Sequence, residues 1–392
     1  MNPQNEYDCV IIGEHPAGLW AAKHLLSLGC TVLIIPTGTY GGGNVLPKKV
    51  AKDFNLGAPS ALQIITPSRR IQMFPTEAEL KEEYLFNYGT ELTSATPPHP
   101  DFFRGMAYWV RGAETGPLLP DQWSPIYSQY FDTVYFDEPA GYLEDTLLAA
   151  LEKDGAFVVK PGYLRQIFTD RKSVVGVQLA NTSQMISVKT LFANTHFDFI
   201  NQFINEPLPP KSNPIGWNFE ISFECSTDFL PMGITPRMIY VQKNAPVLEI
   251  FQQWLGRFRL KTTVPFQDFT LDRGNQQRLA ARMLKVCEEL LPDLQYNLKR
   301  VTPDLRDPER AISVELPTIY PFETLDKIPP ALLTYGSGAG LGYQTSVQGL
   351  FLSSDEVNPR EGLWGAYQAV LSALDSWAKR EQKPELAQLS LR

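Results

Sequence analysis

The segment from Tyr7 to Pro36 constrains the fold most, because it reads as strand, tight turn, helix and strand. The run Asp8-Cys-Val-Ile-Ile12 is typical of a strand buried on both faces. Apolar residues then recur at helical spacing from Ala17 to Leu28, and Gly29 is a helix stop. Thr31-Val-Leu-Ile-Ile35 is a second apolar strand, so the segment predicts a strand–helix–strand unit in a parallel sheet.

The turn of this unit, Gly13-Glu-His-Pro-Ala-Gly18, matches two of the three glycines of a dinucleotide-binding fingerprint. Gly13 supplies the tight turn, and Gly18 lets the helix pack closely on the strand. The middle position, where a pyrophosphate approaches bare backbone, carries His15. Pro36 follows the second strand in place of the acid that holds ribose hydroxyls, so the sequence predicts a nucleotide site lacking two of its usual contacts.

Other interpretations of these residues stay open. The unit is equally compatible with a plain scaffold that binds no nucleotide, since short glycine patterns arise without function. His15 is either a phosphate-binding cation or an ordinary surface or packing histidine. The segment Tyr40-Gly-Gly-Gly-Asn44, which contains Gly42, is either a loop that approaches a ligand or a surface loop.

Further along the chain, the amino-acid composition changes. Residues from about Lys48 to Ala140 are rich in proline and aromatic residues and predict an irregular insertion. Gly141 to Lys153 predicts an amphipathic helix ended by Gly155. Strands are predicted to follow at 156–159, 163–169, 174–180 and 185–192.

This order of elements resembles the FAD-dependent oxidoreductases of the amine oxidase and phytoene desaturase type. The resemblance covers nearly the whole chain and includes Gly155 with Val158-Val159, and Val174-Val-Gly-Val177. Near the C-terminus, Gly349-Leu-Phe-Leu-Ser-Ser-Asp355 followed by Pro359 and Gly362 looks like the family's strand, loop and glycine-started helix beside the flavin.

The resemblance implies FAD as cofactor and an α/β fold: a discontinuous Rossmann-like FAD-binding domain with a second, mixed α+β substrate or cap domain. Asp355 would accept hydrogen bonds from the flavin ribitol, and a helix from Gly362 would direct its N-terminus at the ring. A turn or helix-capping role is the alternative for Asp355. The implied cofactor-binding residues are Gly13, His15, Pro16, Ala17, Gly18, Gly42, Asp355 and Gly362.

The same resemblance implies the domain boundaries. The FAD-binding-like domain would comprise residues 1–70, 141–196 and 326–392, with the irregular insertion at 71–140 and the substrate or cap domain at 197–325.

Within the cap domain, an apolar stripe at Ile250, Phe251, Trp254, Leu255 and Phe258 predicts a helix, flanked by basic side chains. Such a helix would contact a membrane or a lipid-like substrate, or form the domain core. Residues 276–291 predict another helix, with Cys287 buried.

Composition excludes several classes of function. A net charge of −8 argues against a nucleic-acid partner. The four cysteines form no CxxC pair, so they predict neither a zinc site nor a disulfide framework and fit a reducing cytoplasm. No apolar run approaches the length of a transmembrane helix, and no H-E-x-x-H or G-x-S-x-G motif occurs.

Two hypotheses for the function follow. In the first, the chain is a FAD-dependent oxidoreductase acting on an apolar or amine-bearing small molecule, with no catalytic side chain assigned because the flavin itself takes the hydride. In the second, it is a flavin-free binding protein similar to the guanine-nucleotide dissociation inhibitors. The C-terminal motif favours the first, whereas His15 and Pro36 favour the second.

Overall fold

The structure is a computed structural model of the 392-residue chain. It describes residues 6–38, 45–57, 59–73, 76–96, 98–112, 122–136, 141–159, 164–180, 184–195, 197–204, 216–228, 230, 234–243, 245–254, 256–265, 273–304, 322–324, 331–333, 343–354, 357–358 and 363–382.

The helices in these ranges are α1 Pro16–Ser27, α2 Lys48–Asp53, α3 Glu77–Tyr88, α4 Pro100–Arg111, α5 Trp123–Phe131, α6 Tyr142–Lys153, α7 Phe197–Asn201, α8 Arg273–Leu290, α9 Leu294–Asn297 and α10 Leu363–Arg380. The strands are β1 Cys9–Ile12, β2 Val32–Ile35, β3 Val45–Pro47, β4 Leu62–Ile65, β5 Arg70–Met73, β6 Thr133–Tyr135, β7 Phe157–Val158, β8 Leu164–Asp170, β9 Ser173–Leu179, β10 Met185–Ser187, β11 Leu191–Ala193, β12 Gly216–Cys225, β13 Arg237–Tyr240, β14 Leu248–Trp254, β15 Arg257–Pro265, β16 Leu298–Asp304, β17 Phe322–Thr324, β18 Ala331–Leu333 and β19 Leu350–Leu352.

The first sheet is parallel, in the order β19-β11-β1-β2-β7. Its central strands are apolar throughout because both faces are covered. On one face, Ile11 and Ile34 pack against α1, α6 and α10. On the other, Val10 and Leu33 pack towards the small antiparallel sheet β10-β9-β8. The predicted Rossmann-like unit is thus confirmed, and it draws strands from both ends of the chain.

The first helix begins and ends where the sequence predicts. Pro16 occupies the first turn of α1, where its missing N–H costs no intrahelical bond. Gly29, just beyond the helix, adopts a positive φ of 78° that glycine tolerates without strain. The predicted helices at 141–153 and 276–291 are also present, as α6 and α8, and Cys287 is buried.

The second unit is built on a large mixed sheet, in the order β17-β16-β12-β15-β14-β13-β4-β5 with β18 beside β12. One face of this sheet packs against α8. The other face is covered by α3, α4 and α5. This arrangement agrees with the expected mixed α+β second domain. The strand β4 lies within the range 1–70 but pairs with β13 in this sheet.

The predicted helix through Ile250 and Phe258 is wrong, because these residues form the antiparallel strands β14 and β15. Ile250 packs against the α8 face of the sheet, whereas Phe251 packs against the α4 face. Burial on both faces hides the two-residue alternation of a strand and leaves spacings that resemble a helical stripe. The arginines of β15 pair with glutamates of β12, as in Arg259–Glu220. The apolar side chains Ile250, Phe251 and Phe258 lie in the core, which was the alternative to membrane contact for this stripe.

Two further expectations need correction. The range 71–140, predicted to be irregular, contains α3, α4 and α5, whose aromatic side chains form much of the core on that side of the large sheet. The predicted strand 185–192 is divided into β10 and β11, which belong to different sheets. Among the described residues, no helix combines the length and the apolar content needed to cross a bilayer.

Candidate functional site

The carboxyl ends of four parallel strands meet at one edge of the first sheet. Ile12 pairs in register with Ile35 on one side and with Ala193 on the other, and Ala193 pairs with Leu352. The backbone N–H of Ser353 donates to the Ala193 carbonyl at 2.9 Å, which extends the ladder past the end of β19. The C-terminal segment and the first strand therefore share one edge, as the resemblance requires. Ligands of open α/β sheets bind at such edges.

Gly13 makes the predicted tight turn. Its φ is 105°, and its N–H donates to the Ile35 carbonyl at 2.9 Å. A β-carbon at this position would overlap the backbone carbonyl of Asn194. Both the backbone conformation and the close packing thus demand glycine at position 13.

Gly18 packs against a side chain that the sequence reasoning missed. The Asn194 side-chain oxygen accepts from the Gly18 N–H at 3.0 Å, and its Nδ2 donates to the His15 carbonyl at 2.6 Å. Asn194 is buried and directly follows β11. A polar residue immediately after a buried parallel strand was the available signal, because that position lies at the ligand-binding edge.

His15 caps the helix it precedes. Its Nδ1 accepts a hydrogen bond from the Ala17 N–H at 3.2 Å. Pro16 has no N–H to offer, and the Gly18 N–H already donates to Asn194. In this conformation the first amides of α1, which would face a pyrophosphate, are satisfied by the protein itself.

Glu14 places a buried carboxylate beside the end of β2. Its side chain is buried, and Oε2 accepts from both the backbone N–H (2.7 Å) and the hydroxyl (2.9 Å) of Thr37. The other oxygen, Oε1, is buried and has no hydrogen-bond partner. A carboxylate from the Gly13 turn therefore lies near this strand end, while position 36 itself is proline, as the sequence shows.

Three of the predicted cofactor residues, Gly42, Asp355 and Gly362, lie outside the described residues. Their neighbours are placed: Ser353 and Ser354 are buried at the sheet edge, and α10 begins at Leu363. The buried ring of Tyr367 on α10 lies 6.0 Å from that of Trp20 on α1, measured between centroids. The first and last helices thus pack together beneath the site.

A small aromatic-lined cavity of about 20 Å³, room for about one water molecule, lies between the large sheet and β6. Its walls include Leu62, Met73, Trp109, Tyr130, Thr133 and Tyr135. The indole N–H of Trp364, in the first turn of α10, donates to the Thr133 hydroxyl at 3.2 Å. The cavity wall therefore contacts the beginning of the helix expected beside the flavin.

A buried ion pair supports this cavity. The Arg237 guanidinium lies 2.7 Å from a Glu249 carboxylate oxygen and faces the rings of Trp109 and Tyr135. Burial alone would raise the pKa of Glu249, but Arg237, together with Lys261 and Arg259, holds that pKa below its usual value. The carboxylate is therefore ionised and bound by the protein's own cation.

The comparisons with known proteins show the fold. No family model matches the sequence, and no curated protein matches it. Among solved structures, an oxidoreductase from Methanosarcina mazei is similar with a TM-score of 0.59 and 11% identity, over 94% of this chain and 100% of that one. A geranylgeranyl bacteriochlorophyll reductase-like protein from Thermoplasma acidophilum is similar with a TM-score of 0.55 and 13% identity, over 98% and 81%.

A third similar structure is PqsL, a probable FAD-dependent monooxygenase from Pseudomonas aeruginosa, with a TM-score of 0.52 and 9% identity over 97% of this chain and 89% of that one. The chain therefore has the Rossmann-type fold of FAD-dependent oxidoreductases. The narrower resemblance to amine oxidases and phytoene desaturases stays a prediction.

The residues at the sheet edge fit an adenine dinucleotide in two respects and need two rearrangements, one at the His15 ring and one beside the covered Oε1 of Glu14. Gly13 makes the required turn, and Glu14 places a carboxylate at the end of β2. The Ala17 N–H becomes available only when the His15 ring turns away, which breaks one hydrogen bond worth about 1 kcal/mol. That cost is small beside the many contacts that a dinucleotide makes.

Proposed function

We propose that this chain binds FAD and acts as a FAD-dependent oxidoreductase on an apolar or amine-bearing small molecule. One observation carries the proposal: the Gly13 turn with its buried Glu14 and the C-terminal Ser353 meet at one carboxyl edge. A sheet edge assembled from both ends of the chain matches what a long cofactor with an adenine end and a flavin end requires.

When bound, the flavin accepts the hydride, so the protein has to bind the cofactor, orient the substrate and shield both from water. The edge of the first sheet would hold the nucleotide end. The start of α10 would lie beside the ring, where its N-terminal dipole favours negative charge. The side chains that line the small aromatic cavity next to Trp364 would contact the substrate, and because the cavity has room for only about one water molecule, substrate binding would require them to move apart.

The lining of this cavity supports the apolar member of the proposed substrate class. Its walls are mainly aromatic and aliphatic, as in Trp109, Tyr130 and Met73. The nearby carboxylate of Glu249 is bound by Arg237 and so is not offered to a substrate ammonium group. We therefore favour an apolar or aromatic substrate over an amine.

The absorption spectrum of the purified protein tests the proposal. We expect a band near about 450 nm, or its appearance as bound flavin after addition of FAD, since oxidised flavins absorb there. Anaerobic addition of the substrate should bleach this band. A colourless protein whose dissociation constant for FAD exceeds about 100 µM, which is too weak for a resident cofactor, would overturn the proposal.

One observation favours a second candidate, a cofactor-free binding protein of the same fold. The Nδ1 atom of His15 accepts a hydrogen bond from the Ala17 N–H, which would otherwise be available to a phosphate. This candidate predicts that the natural protein binds no FAD and that replacing His15 by glycine, which frees the Ala17 N–H, allows some binding. Binding of FAD to the natural protein would refute it.

A further inference from the structure

Glu14 carries a feature that the fold alone does not explain. Its side chain is only 2% exposed, and one of its two carboxylate oxygens has no hydrogen-bond partner. A buried carboxylate loses its hydration, and an unpartnered oxygen leaves that loss uncompensated. Such an atom at a ligand-binding edge indicates a missing donor.

The pair Asp8–Thr31, at the opposite edge of the same strands, makes the same hydrogen bonds in a purely structural role. There, Oδ2 of Asp8 accepts from the N–H (2.7 Å) and the hydroxyl (2.8 Å) of Thr31. Asp8 is exposed, so water serves its carboxylate. Tying β1 to β2 through a threonine therefore does not require a buried acid, and the burial of Glu14 needs another reason.

The position of Glu14 and the chemistry of its carboxylate indicate which donor is missing. Glu14 lies at the carboxyl edge, where the ribose of an adenine nucleotide is held in this type of fold. An ionised carboxylate only accepts hydrogen bonds, and ribose hydroxyls donate them. Thr37 fixes Oε2 and leaves Oε1 as the free acceptor.

We propose that Glu14 binds the adenine-side ribose hydroxyls of the nucleotide, in place of the acid that normally follows the second strand. This inference rests on the proposed function, in which the nucleotide is the adenine half of FAD. Because Oε1 is covered in this structure, binding includes a local opening beside it.

The test measures how much each ribose hydroxyl contributes to binding, with ADP, 2′-deoxy-ADP and 3′-deoxy-ADP as probes in titration calorimetry. We expect the natural protein to prefer ADP over at least one deoxy analogue by about tenfold or more, as for a hydrogen bond to a charged group. Glu14→Gln should reduce this preference to about twofold or less. Asp8→Asn, the matched control at the other edge, should retain it.

A second variant covers the case in which Glu14→Gln fails to fold. Thr37→Val removes the hydroxyl that orients the carboxylate while preserving shape, and it should also lower the preference for ADP. A preference that survives in both folded variants would overturn the inference.

The outcomes separate this inference from the proposed function. If FAD binds but the ADP preference does not depend on Glu14, the inference fails and the proposed function stands. If FAD does not bind but ADP does, with a preference that depends on Glu14, the inference stands for a nucleotide without flavin and the proposed function fails. If neither ligand binds, both are overturned.

Discussion

The side-chain amide of Asn194 occupies the space that a β-carbon on Gly18 would need. The two residues come from α1 and the end of β11, and the Gly18 N–H donates to the Asn194 side-chain oxygen at 3.0 Å. The amide also binds the His15 carbonyl, so one buried side chain fixes the turn and the start of the helix together.

This contact predicts that mutations at positions 18 and 194 have non-additive effects on the free energy of unfolding. Gly18→Ala should lower the free energy of unfolding by about 1–3 kcal/mol through overpacking. Asn194→Ala should cost about 1–3 kcal/mol because buried polar groups lose their partner. In the double variant the clash is relieved, so its cost should fall short of the sum by about 1 kcal/mol or more. Urea unfolding measures all three variants.

Gly57→Ala is the control for this cycle, because nothing lies near the β-carbon it would add. It should leave the unfolding free energy nearly unchanged. Strictly additive costs at positions 18 and 194 would contradict the packing described here.

His15 should weaken the affinity for FAD rather than abolish it. Replacing it with glycine frees the Ala17 N–H from a bond worth about 1 kcal/mol, so FAD should bind about fivefold more tightly. His15→Asn keeps a capping acceptor and should show no such gain. Fluorescence titration with FAD measures the difference.

The same titration tests position 36. Because Glu14 already places a carboxylate at the end of β2, Pro36→Glu should not tighten FAD binding. A larger gain from Pro36→Glu than from His15→Gly would mean that Glu14 does not serve the nucleotide.

The buried pair Arg237–Glu249 should be sensitive to the loss of one partner. Arg237→Met leaves an uncompensated buried carboxylate and should lower the free energy of unfolding by about 3–5 kcal/mol. Arg237→Met with Glu249→Leu should recover most of this loss, since neither charge remains. The half-exposed pair Arg257–Glu224 is the control: Arg257→Met should cost about 0–1 kcal/mol. Equal costs at the two arginines in urea unfolding would refute this account.

His24 should make stability depend on pH. Burial lowers its pKa below the usual value, with Lys49 and Lys23 adding to that effect and Asp53 opposing it. The unfolded chain therefore takes up a proton at a higher pH than the folded chain does. Stability should be fully present above about pH 6.5 and should decrease as the pH falls from there towards the lowered folded value.

His24→Gln removes the titrating ring and should flatten this dependence. The check is urea unfolding of both proteins at about pH 7 and about pH 5.5, on either side of the ordinary histidine value. Parallel pH dependences would show that His24 does not contribute.

Local patterns predicted the elements whose burial follows one simple rule. Three such elements were predicted correctly: the strand that ends at Ile12, the helix that ends before Gly29 and the helix at 142–153. They were predictable because central parallel strands are apolar throughout and helices carry an apolar stripe at helical spacing. The hairpin of β14 and β15 was not readable, because Ile250 and Phe251 are buried on opposite faces of a sheet covered on both sides.

The amino-acid sequence by itself determined that Gly13 ends a buried strand in a tight turn, that α1 follows and that a second buried strand returns beside the first. Only the tertiary structure decided which groups meet at that turn: Asn194 over Gly18, Thr37 on Glu14 and Ser353 on Ala193. The reason is physical. Periodicity reports which side of an element is buried, whereas contacts between residues far apart in the chain depend on strand order and register, which arise when the whole sheet assembles.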